Sequence, residues 1–316
     1  MFGTFYLAAA QQPVDIPRIG FVHSAGTAVN PSPLFDAFRG GLQDLGYTEG
    51  KNILIESRYS EGRLDRIPEL VNDILKQKVA VIVAPNNVAI RAAKKATKTI
   101  PIVIISSIDP VAAGYVESFA RPGGNITGLT HLGRDLSAKR IELLNELLPG
   151  ISRVSILWDQ DGPGPAVAFK EYEDAARAFK LEIQSLGIRG PKPDFAGAFQ
   201  AAKTARVDAL IVVANPLMGK HAKQVFELAT KNRLPSMTEG SRYAEVGGLI
   251  SYGTNLSALY RHAATYVDGI LKGANPATML VEQPRVFEIF INIKTAKALG
   301  LQIPKGVLVR ANELIE

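Results

Sequence analysis

Short runs of β-branched and other apolar residues alternate with longer stretches of helical periodicity almost from the start of the chain. Strands are predicted at residues 18–22, 52–58, 79–84, 101–106 and 125–129, with helices at 33–46, 65–77 and 88–97 between them. The alternation then restarts. Strands at 153–158, 181–186, 207–213, 234–237 and 249–251 alternate with helices at 166–179, 195–204 and 219–232. A long helix at 256–272, a stop at 273–276, a strand-like run at 287–291 and a short helix at 295–299 complete the pattern. Two runs of about five βα units predict two doubly wound parallel sheets, with the Arg121-Pro122-Gly123-Gly124 turn as the break between them.

Length agrees with two bodies, since 316 residues exceed what one core usually organises. The expected division is a leader or linker at 1–15, a first lobe of 16–124 plus about 252–281, and a second of 125–251 plus about 282–316. A chain that returns late in this way crosses between lobes more than once, and several crossings make a hinge.

Composition narrows the function classes. Hydrophobic residues at 47% and charged ones at 21% are ordinary for a globular protein. The formal charge of +6 is dispersed. Its densest run, Arg91, Lys94, Lys95 and Lys98, falls on one helix face with no aromatic residues interleaved, so a solvated face is expected and nucleic acid is not an expected partner. The absence of cysteine removes disulfides, thiol catalysis and Cys-ligated zinc. No uninterrupted apolar run reaches membrane-spanning length. The opening MFGTFYLAAA resembles the end of a secretory signal, with an A-x-A-like site at Ala8 to Ala10, so export is expected.

Catalytic and cofactor fingerprints are missing: no phosphate-cradling G-x-x-x-x-G-K-[ST], no G-x-G-x-x-G after the first strand, no G-x-S-x-G, and four scattered histidines without a metal-ligand spacing. Neither an enzyme nor a cofactor or metal is therefore expected. In open α/β sheets ligands bind beyond the carboxyl ends of the strands, where loops meet helix N-termini. Those positions hold Ser24, Thr27, Asn86, Asn87, Ser106, Ser107 and Asp109 in the first lobe, with His23 as a further strand-end candidate. In the second they hold Asp159, Asp161, Asn215, Glu239 and Tyr243. The first set is rich in hydroxyls and amides and the second is acidic, which suits a zwitterion gripped at opposite poles. Asn86 and Asp109 also read as ordinary helix caps.

Residues 99–129, TIPIVIISSIDPVAAGYVESFARPGGNITGL, closely resemble a signature of the ABC transporter substrate-binding proteins, the family that includes the tryptophan/tyrosine-type importers' receptors. FDAFRGGLQDLGYTEGKN at 35–52, AKRIELLNELL at 138–148, GGLISYG at 247–253 and VEQPRVFEIFINIKTAKALGL at 281–301 extend the likeness across nearly the whole chain. The resemblance implies a type I periplasmic-binding-protein fold, two lobes joined by three crossings, a signal peptide, and delivery of a small ligand to an inner-membrane ABC permease; a periplasmic location and a monomer are expected. It also implies ligand contacts at Ser24, Asn86, Ser106, Ser107, Asp109, Asn215 and Glu239; an Asn or Ser-like residue is more usual where Asp159 stands. An amino acid or a related aromatic or small carboxylate is the expected ligand. The alternative is a ligand-sensing domain feeding a signalling partner.

Overall fold

The structure is a computed structural model that describes residues 16–23, 26–131, 136–161, 163–190 and 192–316. The chain divides into two compact units, Met1–His131 with Leu256–Gln283, and Leu132–Asn255 with Pro284–Glu316. It therefore passes from one unit to the other three times, after His131, Asn255 and Gln283.

The first unit begins with β1 (Arg18–His23), α1 (Pro33–Asp44), β2 (Leu54–Tyr59), α2 (Ile67–Lys76), β3 (Val81–Ala84), α3 (Asn87–Ala96), β4 (Ile102–Ser106) and β5 (Ile126–Thr130). The second then runs through α4 (Leu136–Leu147), β6 (Arg153–Asp159), α5 (Pro163–Ala178), β7 (Glu182–Ile188), α6 (Phe195–Thr204), β8 (Ala209–Val212), α7 (Pro216–Lys231), β9 (Ser236–Thr238), α8 (Ser241–Glu245) and β10 (Ile250–Thr254). The chain returns to the first unit as α9 (Leu256–Leu271), then completes the second with β11 (Phe287–Asn292), α10 (Ile293–Leu299), α11 (Lys305–Leu308) and β12 (Glu313–Ile315).

The five strands of the first unit are parallel in the order β2-β1-β3-β4-β5. Strands β3, β4 and β5 are buried at every position, because helices cover both faces and leave no wet side for polar alternation. Ile19, Phe21, Val83 and Ile105 pack with Phe35, Phe38 and Leu42 of α1 and Ala263, Ala264 and Val267 of α9. On the other face Val22, Ile82 and Ile104 meet Ile67, Val71 and Ile74 of α2 and Ala89, Ile90 and Ala93 of α3.

The second sheet has the order β12-β11-β10-β9-β8-β6-β7. Its core also lies on two faces, one closed by Ile141, Leu144 and Leu147 of α4 with Tyr172 of α5, the other by Phe195 and Phe199 of α6 with Val225 and Phe226 of α7.

Three expectations are corrected. The segment 125–129 does not open the second lobe. As β5 it pairs with β4 over five registered residues, from Ile102 with Ile126 to Ser106 with Thr130, and Leu129 is buried in the first core. The Gly123-Gly124 turn is a loop within the first unit, and the passage comes after His131. The return expected near residue 252 comes after Asn255, because β10 continues to Thr254 in register with β11. The second sheet is also not wholly parallel, since β10 and β11 run antiparallel with Ile250 opposite Ile291. Their connection leaves the second unit and comes back to it, so no βα crossover dictates a parallel pair.

Candidate functional site

Each sheet has one point where successive helices go to opposite faces, and the strand ends flanking it form a crevice. In the first sheet it lies between β1 and β3, in the second between β6 and β8.

At the first crevice, His23 ends β1 but does not project as a contact. It is 3% exposed, stacked on Tyr59 at 4.0 Å between centroids, flanked by Phe21 and Phe35 at 4.5 Å, and hydrogen-bonded through Nε2 to Ser57 Oγ at 3.1 Å. Burial pushes its pKa down to about 4, so the ring is neutral at pH 7. Ser24, the neighbouring candidate, lies outside the described residues.

Asn86 caps α3, its Oδ1 accepting from the Ala89 N–H at 2.9 Å. Its Nδ2 is buried and has no hydrogen-bond partner, an unmet donor beside a helix N-terminus. Asn87 joins the β4 loop to α3: Nδ2 donates to Ser107 Oγ at 2.8 Å, and Oδ1 accepts from Ser106 Oγ at 3.1 Å. Ser107 is exposed, whereas Ser106 is fully buried and its hydroxyl also lies 2.8 Å from the Ile108 carbonyl. Asp109 caps the turn that follows, accepting from Val111 N–H at 2.8 Å and Ala112 N–H at 3.0 Å through one oxygen. Asn86, Asn87, Ser106 and Ser107 are thus brought together; Ser106 and Asp109 hold the loop in shape. Thr27 interacts locally, its hydroxyl accepting from Asn30 N–H.

At the second crevice Asn215 caps α7, accepting from Met218 N–H at 2.7 Å, and its Nδ2 reaches across to Asp159 Oδ2 at 3.2 Å. The other oxygen of Asp159 accepts from Asp161 N–H at 3.0 Å, and Asp161 in turn receives the Gly190 N–H at 2.6 Å. Tyr243, 8% exposed, donates to the Asn215 carbonyl at 3.4 Å, and burial raises its pKa to about 12. It braces the crevice from within.

Glu239, just past β9, reveals what the sequence did not. Its Oε1 accepts from Arg140 Nη1 at 3.1 Å and from Tyr172 OH at 3.4 Å. Arg140 also donates from Nε to the Tyr252 carbonyl at 2.8 Å and from Nη1 to Tyr172 OH at 3.0 Å. The guanidinium is 2% exposed and the Glu239 side chain 28%. Burial opposes the charge of Arg140, but Glu239 and Tyr172 outweigh it and raise its pKa; burial likewise raises that of Tyr172. The second unit is therefore not simply acidic: its Glu239 is countered by a buried cation on α4.

Among the described residues no three His, Asp or Glu side chains group as a metal site, and no helix is long and apolar enough to cross a membrane.

Residues 33–315 match the family model described as ABC transporter substrate binding protein. A tyrosine-binding protein from Clostridioides difficile is 26% identical over 262 residues, covering 83% of this chain and 74% of its own. A conserved domain protein from Vibrio cholerae has the same fold with a TM-score of 0.81 at 26% identity, over 95% of this chain and 99% of its own. A Streptococcus pneumoniae ABC domain solved in complex with L-Trp superposes with a TM-score of 0.83 at 23% identity over the same shares. A leucine binding protein from Thermotoga maritima, at 12% identity and a TM-score of 0.62, shares the type I periplasmic-binding-protein fold over 81% of this chain and 83% of its own. With the family match running from α1 into the last strand, the chain belongs to the ABC transporter substrate-binding protein family.

Proposed function

We propose that this protein is the receptor of an ABC importer and binds an amino acid, with an aromatic side chain such as that of tyrosine or tryptophan favoured. The ligand is captured where the strand-end faces of the two units close on it by hinge motion at the three chain passages. The loaded form docks on an inner-membrane permease from the periplasmic side. Contacts are assigned to Asn86, Asn87 and Ser107 in the first unit and to Asp159, Asn215 and Glu239 in the second.

One observation carries this reading: each unit independently gathers polar side chains at the carboxyl ends of its strands, around its own switch point. In the first, Asn87 ties the start of α3 to Ser106 and Ser107 at the end of β4. In the second, Asn215 bridges the β6 and β8 ends to Asp159. The preference for an aromatic amino acid rests on the tyrosine-binding relative and the L-Trp-bound neighbour.

Thermal-shift measurement against the common amino acids and aromatic acids tests the proposal. A ligand at a hundred times its Kd adds about 2.7 kcal/mol of stability, easily seen as a rise in Tm. The expected result is a rise with tyrosine or tryptophan; no rise with any amino acid at millimolar concentration overturns it.

A further inference from the structure

Arg91, Lys94, Lys95 and Lys98 share one face of α3 and its end, and no acidic residue of α3 offsets them. Elsewhere basic side chains are answered about one helical turn away: Lys76 by Asp73, Lys139 by Glu142, Lys170 by Glu173, Arg177 by Asp174 and Lys272 by Asp268. On α3 the neighbours at three and four residues are like charges, an arrangement that works against the helix. The same face borders a groove of about 570 Å³, whose other wall is the segment after β4 with Ile108, Ala113 and Tyr115. Lys94 donates to the Gly114 carbonyl across the groove, and Lys98 to the Lys94 carbonyl at 3.0 Å. Arg91 and Lys95 are exposed and, among the described residues, make no ion pair. No carboxylate is among the described residues that line the groove.

We infer that the groove between α3 and residues 108–115 is the docking surface for an acidic, carboxylate-rich segment of the permease. This rests on the receptor reading above and deepens it, by naming the surface of the first unit that the partner reads and the chemistry it brings.

Charge and shape together select the occupant. Carboxylates set against the stripe turn repulsion between neighbouring cations into attraction, and an apolar side chain among them meets Ile108 and Ala113. The four cations span about 10 Å of helix, a distance that acids on one face of a partner helix match turn for turn. A flat lipid surface does not enter a groove, and a nucleic acid finds no ring to stack on. The one aromatic residue there, Tyr115, is 7% exposed and donates to the Asn87 carbonyl at 3.5 Å. Both walls also start at the ligand crevice: α3 begins at Asn87 and the opposite segment follows Ser106 and Ser107, joined by the Asn87–Ser107 bond of 2.8 Å. A partner seated in the groove thus touches the two elements that shape the crevice of this unit.

Fluorescence anisotropy of the full chain with three probes tests the surface. The first is a synthetic helical peptide with Glu at positions i, i+3, i+4 and i+7 and one Leu among them; the second has the same composition with the Glu residues scattered around the helix. The third is a vesicle of equal parts phosphatidylcholine and phosphatidylglycerol. The first peptide is expected to bind more tightly than the second, with an affinity that falls as salt is raised. Arg91→Glu/Lys95→Glu is expected to weaken it by about 10-fold or more, whereas Lys223→Glu/Lys231→Glu on α7 leaves it unchanged. Arg91→Gln/Lys95→Gln gives a smaller loss and decides the matter if the charge reversal does not fold. Equal binding of both peptides, or equal loss in the α7 variant, means unspecific charge attraction and overturns the inference. Vesicle binding that needs Arg91 and Lys95, with no peptide binding, makes a lipid surface the partner and also overturns it. In cells of the protein's own species, the charge-reversed variant is expected to bind tyrosine in calorimetry as wild type does and yet to lose uptake. Normal uptake overturns the permease assignment and leaves the receptor reading standing. Failure of wild type to bind any amino acid overturns the receptor reading, and with it the permease as the partner, while the peptide titration still decides whether the groove takes an acidic segment.

Discussion

His23 is a strand-end residue whose place in the sequence leaves two roles open, a ligand contact or a locally hydrogen-bonded side chain. The second holds: it bonds Ser57, forms one wall of an aromatic cluster and stays neutral because burial lowers its pKa to about 4. The unfolded chain takes up a proton on this residue near pH 6.5 and the folded one does not, so acid favours unfolding. Its contribution is intact above pH 6.5 and is lost as pH falls through 4, reaching about 3 kcal/mol. The expected outcome is a Tm that drops between pH 6.5 and 4 more steeply in wild type than in His23→Phe, followed by circular dichroism. Asp109 makes a second expectation at this scale. Its carboxylate caps two backbone N–H groups, so Asp109→Ala loses about 1 kcal/mol in urea unfolding and Asp109→Ser recovers most of it. The N-cap at Asn86 was readable because an Asn between a strand and an amphipathic run has a local cause, whereas the cap at Asn215 was not, since its helix starts at Pro216 and the periodicity pointed to 219. Arg140 and Tyr172 were not readable. An Arg in AKRIELLNELL and a Tyr in KEYEDAAR both look like the wet side of a helix, and only the return of Glu239 and Tyr252 from about a hundred residues away explains their burial.

At the scale of elements, long-range pairing decides what local pattern cannot. Strand existence followed from apolar periodicity, but the membership of β5 did not, since a Pro-Gly-Gly turn reads the same whether it ends a loop or a domain. The place of α9 in the first unit is likewise set by contact: it returns across more than two hundred residues to lie on α1. Gly41 permits that approach, because a Cβ there would come within 2.2 Å of the Arg261 carbonyl oxygen and 2.9 Å of Ala264 Cβ. Helix backbones do not yield to such an overlap without moving apart. Gly41→Ala is therefore expected to destabilise the protein by about 1–3 kcal/mol in urea unfolding, despite the better helix propensity of alanine. An unchanged or raised midpoint would contradict the close packing of α1 and α9.

At the scale of the whole molecule, the three passages after His131, Asn255 and Gln283 bear on function. Each unit has its own two-faced core, and the proposed capture treats each as a rigid body turning about the few residues at the passages. Capture by closure predicts a smaller radius of gyration with ligand than without it in small-angle X-ray scattering; an unchanged radius at saturation would contradict closure while leaving binding intact. The most direct test of the account as a whole is calorimetric titration of the purified protein with L-tyrosine and L-tryptophan. Saturable binding of at least one of them is expected, with one ligand per chain and marked weakening on removal of the ligand's carboxylate or ammonium. Absence of heat and of saturation for every amino acid tried would contradict it.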